Sequence, residues 1–210
     1  MKTLSIDEIV REVRIKIDEM IANDSELMNQ ESDSVNLVSV IKSCISDGYR
    51  MVSMLADVSM LEGKDGSSAS LSIDTNLVGH ITLPNDFLRL VNIRLSSWIS
   101  ARSSTIAEDS PAYRMQSNKW VCGNPSLPVV ALVHRPSGRQ LELYKASSDK
   151  DTLTAFTYVP FINSDAASVS ISDQLADAFI YFVAGLTMTT FKEDVSNDFF
   201  KVGRSLLGLE

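Results

Sequence analysis

The hydrophobic period of this sequence changes twice along the chain, and these changes constrain the fold more than any other feature. Apolar residues recur at helical spacing up to about residue 57 and again from Leu175 onward, whereas the stretch between them alternates like β-strands. A run of small and flexible residues, 63–70 (GKDGSSAS), lies at the first change. We therefore expect an α+β fold with an internal boundary at this run.

The N-terminal region predicts two helices. Ser5 and Glu8 have the spacing of a capping box, and apolar residues then follow at helical spacing up to a polar break at 23–34. A second stripe extends from Val35 to Leu55 and is apolar on more than one side. Such a helix is expected to pack against more than one neighbour.

The C-terminal region predicts a helical hairpin. Ser172 is the expected N-cap of the first helix, a break near Glu193 and Asp194 ends it, and a second stripe runs to Leu206. With the N-terminal pair, this hairpin gives a four-helix bundle that carries an inserted small antiparallel β domain. The expected domains are the N-terminal helical pair (1–62), the β insert (63–168) and the C-terminal helical hairpin (169–210).

The β insert contains several strand signals. Pro84, Asn85 and Asp86 form a turn signal between the first two expected strands. Pro136 to Gly138 predicts a short hairpin loop with glycine where a positive φ is needed. The expected strands are 80–83, 88–98, 129–134, 139–144 and 152–160.

The segment 100–128 differs from the rest of the insert because serine, asparagine and proline punctuate it. We expect a long excursion with a short helix near Pro111 to Gln116, and Tyr113 and Trp120 lie inside it. Two interpretations remain open. The segment is either an arm that reaches a neighbouring subunit or a lid over the β core of its own subunit.

Composition excludes several classes of protein. The 210 residues include 19 Lys and Arg against 27 Asp and Glu, a formal charge of −8, whereas a sequence-reading DNA-binding domain has a basic face. Cys44 and Cys122 lie 78 residues apart and suggest neither a disulfide framework nor a zinc site. We expect no signal sequence, because the N-terminus carries charge where an apolar stretch is needed. Leu175–Phe191 is marginal for a membrane span and is better interpreted as a buried helix, so no membrane partner is expected.

The sequence contains no strong catalytic or metal-binding motif. His80 and His134 are the only histidines, and neither has a partner at metal-ligand spacing. Neither a phosphate loop nor a nucleophile elbow is present. The sequence therefore predicts no catalytic residue, no metal and no cofactor. A dyad of Cys122 and His134 is the weakest alternative, because no third group orients it.

An ordered series of motifs resembles head-to-tail connector proteins of tailed bacteriophages. Residues 79–98 (GHITLPNDFLRLVNIRLSSW) are similar to a passage of these proteins in which a strand, Leu-Pro-x-Asp-Phe and a second strand follow one another. The order is similar to that of ring proteins of crAss-like Bacteroidales phages over 79–207, whereas 1–62 matches in helical character only. The motifs that continue the order are 110–116 (SPAYRMQ), 123–133 (GNPSLPVVALV), 141–144 (LELY) and 156–160 (FTYVP).

The resemblance implies a structural virion protein without enzymatic activity, made in the host cytoplasm and located in the neck between capsid and tail. Its subunits would form a homo-oligomeric ring, commonly a dodecamer, that links the portal protein to the next tail or ring protein and lines the DNA channel. Genomic DNA would pass during ejection without sequence-specific binding. The acidic balance of the chain fits a lumen that does not hold phosphates.

A cyclic ring is built from heterologous contacts, so exposed apolar residues and arginines become candidate contacts. Since Phe199 and Phe200 are adjacent on one helix, we expect one of them to contact another chain. The candidate intersubunit contacts are Tyr113, Met115, Trp120, Phe199 and Phe200. The candidates for charge pairing with a neighbouring ring, or alternatively for the lumen, are Arg89, Arg94, Arg102 and Arg114.

A function of another class also remains open at this point. The chain would then be a small ligand-binding or carbohydrate-binding module without catalysis, in which Trp98, Trp120 and Tyr144 line a sugar platform. Exposure of these three rings would favour this alternative.

Overall fold

The chain divides into two compact units. The computed structural model describes residues 2–21, 37–118, 120–163, 166–191 and 193–209, and the predicted polar break at 23–34 lies outside these ranges. The first unit, called here the helical unit, contains residues 1–62 and 161–210, and the second, the sheet unit, contains residues 63–160.

Helices and strands alternate in blocks along the described chain. Short 3-10 turns at Val58–Met60 and Asp173–Leu175 accompany the longer elements. In chain order the elements are β1 (Lys2–Ser5), α1 (Ile6–Ile21), α2 (Leu37–Leu55), β2 (Lys64–Asp65), β3 (Leu71–Ile73), β4 (Val78–Thr82), β5 (Phe87–Leu95), β6 (Ile106–Ala107), α3 (Pro111–Met115), β7 (Val129–Arg135), β8 (Gly138–Tyr144), β9 (Leu153–Pro160), β10 (Ser168–Ile171), α4 (Ala176–Phe191) and α5 (Glu193–Leu206).

Helix α4 is the centre of the helical unit. Ten of its sixteen residues are buried, so it packs against neighbours on several sides. The ring of Phe179 meets Tyr49 of α2 edge to face, with 6.4 Å between the ring centroids. Phe182 contacts Phe200 of α5, with 5.8 Å between the centroids. No helix among the described residues is long and apolar enough to cross a membrane.

The start of α1 is fixed by the predicted capping box, which is confirmed. The Ser5 backbone N–H donates to Glu8 Oε2 at 2.8 Å, and the Glu8 N–H donates to Ser5 Oγ at 3.3 Å. Strand β1 leads directly into this cap and pairs antiparallel with β10, which places Leu4 opposite Val169. The predicted cap at Ser172 is wrong, because its side chain makes no capping hydrogen bond and a 3-10 turn leads into α4 instead.

The expected four-helix bundle with a small β insert is also wrong. The described residues form a mixed α/β fold with five helices and ten strands in three sheets, so sheet structure is a major part of the fold. One sheet, formed by β1 and β10, belongs to the helical unit itself. Five strands were not predicted, because segments of two to four residues are too short to show a period of two. These strands are β1, β2, β3, β6 and β10.

The sheet unit contains a three-stranded sheet and a five-stranded sheet around one core. The strand orders are β2-β9-β5 and β3-β4-β8-β7-β6, and only the pair β6 and β7 is parallel. Ile81, Leu141 and Val130 of the larger sheet belong to the same buried cluster as Phe156 and Trp98. The side chains that alternate with this core set, including Glu142, therefore lie on the opposite face of the five-stranded sheet.

The predicted hairpin after Val129 is confirmed. Strands β7 and β8 pair antiparallel from Val129 opposite Tyr144 to Arg135 opposite Gly138. Gly138 has a φ of 116°, a conformation that side chains with a Cβ rarely adopt. This turn fixes the register that places Glu142 opposite Ala131.

Gly48 marks a close approach of α2 to α4, and we expect Gly48→Ala to destabilise the protein. A Cβ at this position would lie 2.5 Å from Val183 Cγ2 and 3.3 Å from the Val183 backbone nitrogen. Alanine gains about 1 kcal/mol of helix propensity over glycine, but overpacking costs about 1–3 kcal/mol. The branched Val183 has few alternative rotamers, so urea denaturation should show a net loss of about 1 kcal/mol.

The matched control is Ser39→Ala, on an exposed position of the same helix. This change raises helix propensity without a clash and should leave stability unchanged or slightly higher. A gain in stability for Gly48→Ala of the same size as for the control would contradict the close contact.

Candidate interaction site

A buried carboxylate lies on the outer face of the five-stranded sheet. Glu142 is in the central strand β8, is 5% exposed, and stands between His80 of β4 and Ala131 of β7. Burying a carboxylate costs several kcal/mol unless it is paired and hydrogen-bonded. The surroundings of Glu142 must therefore supply donors.

Three side chains satisfy this carboxylate. Tyr144 Oη donates to Glu142 Oε2 at 2.7 Å, and Tyr113 Oη donates to the same oxygen at 3.0 Å. Arg135 Nη2 donates to Oε1 at 2.6 Å. The other guanidinium nitrogen, Arg135 Nη1, donates to Glu108 Oε1 at 2.9 Å. These five residues form one connected polar network, called here the Glu142 network.

The network keeps Glu142 ionised. Burial alone raises the pKa of this carboxyl, but the hydrogen bonds from Arg135, Tyr144 and Tyr113 together lower it below the ordinary value. Burial and the neighbouring carboxylate raise the pKa of Tyr144, so its hydroxyl remains a donor. The hydrogen bond to Glu142 likewise raises the pKa of Arg135. The stable arrangement is a carboxylate held by protonated donors.

The network ties the 100–128 segment to its own sheet. Ser110 caps the short helix α3 by accepting from the Tyr113 N–H at 3.2 Å, which positions Tyr113 over Glu142. Strand β6 adds to the edge at β7, and Arg102 Nε donates to the Pro128 carbonyl at 2.6 Å. Residues 100–115 therefore contact the sheet of their own subunit, on the face opposite the buried core.

The end of the same segment presents an exposed tryptophan on a hydrogen-bonded loop. Trp120 is 95% exposed, and Asn118 Oδ1 accepts from its N–H at 3.0 Å. The Cys122 N–H donates to the Asn118 carbonyl at 3.0 Å, and the Gly123 N–H donates to Gln116 Oε1 at 3.0 Å. We call residues 116–118 and 120–128 the Trp120 loop. Its backbone is held by its own bonds while its largest apolar side chain points into solvent.

The other candidate contact residues are divided between surface and core. Met115 is exposed on α3, and Tyr113 is half-buried in the Glu142 network. Phe199 is fully buried beside Tyr181, so it lies in the core of the helical unit. Phe200 is half-buried and packs over Gly185 and Phe182 of α4. Of the predicted set, Trp120 presents the most open apolar surface.

The four predicted arginines differ in their exposure and in their hydrogen-bond partners. Arg94 Nε donates to the Trp98 carbonyl at 3.1 Å, and Arg102 is engaged with Pro128 as described above. Arg89 is half-buried on β5, and Arg114 is exposed in the last turn of α3. The charge pairing proposed for these residues stays a prediction.

Two residues named for the alternative functions are in the core or in the network. Trp98 is 1% exposed and its Nε1 donates to the Lys145 carbonyl at 3.1 Å. Tyr144 is held by Glu142, so these rings and Trp120 do not line one shared platform. His134 is exposed on β7 and Cys122 is half-buried in the Trp120 loop. Within the described ranges, no three His, Cys, Asp or Glu side chains lie together as metal ligands would.

Sequence reasoning missed Glu142, Arg135 and Glu108. The signal that was present is a charged residue between two leucines on a central hairpin strand (Leu141-Glu142-Leu143), because such a position is buried in a sheet covered on both faces. The cover from residues 100–115 is a long-range contact that no local pattern reveals.

Comparisons with known proteins do not show a family for this chain. No protein-family model matches the chain, and no curated protein matches its sequence.

We expect Arg135→Met to lower the free energy of unfolding by about 2 kcal/mol, because it removes a charge-assisted hydrogen bond from a buried carboxylate. Arg114→Met makes the same substitution on an exposed position of α3 and should stay within about 0.5 kcal/mol of the wild type. Urea denaturation of both variants measures the difference. Equal stabilities would show that Glu142 does not depend on Arg135.

Stability should also depend on pH through Glu142. The pKa of this group is lower in the folded chain than the ordinary value of 4.5, so its contribution is complete above about pH 5 and is lost as pH falls through the folded pKa. Glu142→Gln removes this contribution at every pH. The free-energy gap between wild type and Glu142→Gln should therefore narrow between about pH 5 and pH 3. A gap that is constant over this range would contradict an ionised Glu142.

Proposed function

We propose that this chain is a noncatalytic structural subunit of a head-to-tail connector in a tailed bacteriophage. In this role it forms a ring with copies of itself, binds the portal protein on one side and the next tail or ring protein on the other, and surrounds the passing genome. Its location is the virion neck. The order of motifs in residues 79–207 motivates the choice of this class.

The proposal rests on the exposure of Trp120 on a loop that is held by hydrogen bonds. Tryptophan is enriched among the residues that dominate binding energy at protein interfaces, and a 95% exposed indole has no packing role within its own chain. Since the Trp120 loop is held by its own hydrogen bonds, little conformational entropy remains to be lost when a partner binds.

The Glu142 network, which holds the helix α3 that precedes this loop, also fits a mechanical role. The network joins a central strand, the hairpin end at Arg135 and the short helix α3 through charged hydrogen bonds. Such a network specifies one arrangement of its members, because each partner left unpaired in a buried site is costly. A ring subunit needs contact surfaces whose conformation does not change when force acts on the assembly.

The charge of the chain supports the expected relation to DNA. At −8 per chain, copies arranged around a channel would repel phosphates rather than hold them. We expect genomic DNA to pass without sequence-specific binding.

Quantitative mass spectrometry of native particles tests the proposal. The ratio of this chain to the portal protein should be near one, as expected for rings of matched symmetry. Absence of the chain from purified particles would contradict a connector role.

A variant experiment links the particle result to the site. Trp120→Ser should fold like the wild type but be depleted at least tenfold from assembled particles, since loss of an interface hot spot costs about 2 kcal/mol or more. Ile15→Ser removes an exposed apolar side chain from α1 and serves as the matched control. Incorporation of Trp120→Ser at the level of the control would remove Trp120 from the proposed contact.

A further inference from the structure

We propose that Trp120 of one copy binds an apolar groove on the helical unit of a second copy. The inference rests on the proposed role as an assembly subunit, and it names the partner of Trp120 and the surface that receives it. We call this surface the Met54 groove. Its lining residues are Asp47, Arg50, Met51, Met54, Leu55 and Leu186.

The Met54 groove has the size and chemistry to hold an indole. It lies between the C-terminal half of α2 and Leu186 of α4, and its volume is about 470 Å³, within the range of small-molecule sites. Met54 is 53% exposed and Leu55 is 39% exposed, so the groove presents apolar surface to solvent. Methionine adapts its shape and contacts aromatic rings favourably through sulfur.

Charge complementarity selects a second copy as the occupant. The helical unit contains 9 Lys and Arg against 19 Asp and Glu, a formal charge of −10, whereas the sheet unit contains 10 against 8, a charge of +2. Residues 110–128, which include the Trp120 loop, contain two basic residues and no acidic one. Contact between two helical units is repulsive, while a sheet unit approaching the helical unit of another copy is attracted.

The inserted residue and the groove are different surfaces, so the pairing can repeat in one direction as a heterologous contact, whereas two copies that exchange indoles reciprocally would form an isologous dimer. Each copy then offers one indole and one groove, and every contact leaves both ends of the growing assembly open until it closes on itself. A ring or a helical filament is the geometric outcome of such a contact. Trp120 and the Met54 groove would thus form the contact between neighbouring subunits of the ring expected from the resemblance.

Intrinsic fluorescence tests the contact directly, because the chain has only two tryptophans and they differ in environment. Trp98 is buried and Trp120 is exposed, so the emission lost in Trp120→Phe isolates the signal of Trp120. We expect this signal to shift to shorter wavelength as the concentration of the full chain rises into the micromolar to millimolar range. A signal that stays that of an exposed indole at every concentration would overturn the inference.

The groove is tested by Met54→Lys, which places a positive charge in the apolar surface opposite the basic loop. This variant should abolish the blue shift, whereas Val202→Lys, at an exposed apolar position on α5, should leave it unchanged. Circular dichroism establishes that each variant is folded. A blue shift that persists in Met54→Lys would assign Trp120 to a different partner surface.

Sedimentation velocity of the wild type separates this arrangement from a reciprocal symmetric dimer, because repeated heterologous contacts give species larger than a dimer. A wild type that stops at a dimer would contradict the heterologous arrangement.

Mixing two variants then tests the contact itself. Trp120→Ser removes the indole but retains the groove, whereas Met54→Lys disrupts the groove but retains the indole. Each variant alone should be monomeric in sedimentation velocity. An equimolar mixture should form a one-to-one dimer and nothing larger, because only one intact contact is possible. A mixture that stays monomeric would overturn the inference, and the copy number in native particles would still test the connector role independently.

Discussion

The buried carboxylate of Glu142 is the constraint on which the sheet unit depends. The cost of burying a charge in the central strand β8 is offset by hydrogen bonds from Arg135, Tyr113 and Tyr144. One of these donors is distant in sequence, since Tyr113 comes from the long excursion, whereas Arg135 lies at the end of β7 in the same hairpin. Because the unpaired carboxylate is so costly, the fold of the excursion is coupled to that of the hairpin. The same contact holds α3, the helix that directly precedes the Trp120 loop.

The helical unit depends on a different principle, the close packing of small residues against aromatic rings. A Cβ at Gly185 would lie 2.8 Å from the Phe200 ring, and one at Gly203 would lie 2.9 Å from the Phe182 ring. These glycines let α5 lie flat against α4, at the cost of helix propensity. The Met54 groove lies on the side of α4 near α2, where Leu186 is only partly covered. In the proposed contact, the sheet unit of one copy contributes Trp120 and the helical unit of another copy contributes the apolar Met54 groove.

Local patterns predicted the elements of this fold better than their arrangement. The capping box at Ser5 and the hairpin turn at Gly138 were predictable because their chemistry is contained within a few residues. The three sheets were not, since pairing of β1 with β10 spans more than 160 residues and strands of two to four residues carry no period. Phe199 and Phe200 show a further limit of prediction from sequence, because both of these adjacent rings pack against residues of α4. For the site, exposure of Trp120 follows from its polar loop, whereas the Glu142 network required the tertiary contact to be seen.

The most direct test of the account is a photo-crosslinking experiment in native particles. A photoreactive phenylalanine analogue at position 120 retains an aromatic side chain, and irradiation followed by peptide mass spectrometry identifies what this side chain touches. The account predicts adducts between position 120 and residues 47–55 or Leu186 of another copy of this chain. Adducts confined to a different protein, or no adduct in particles that contain the chain, would contradict it.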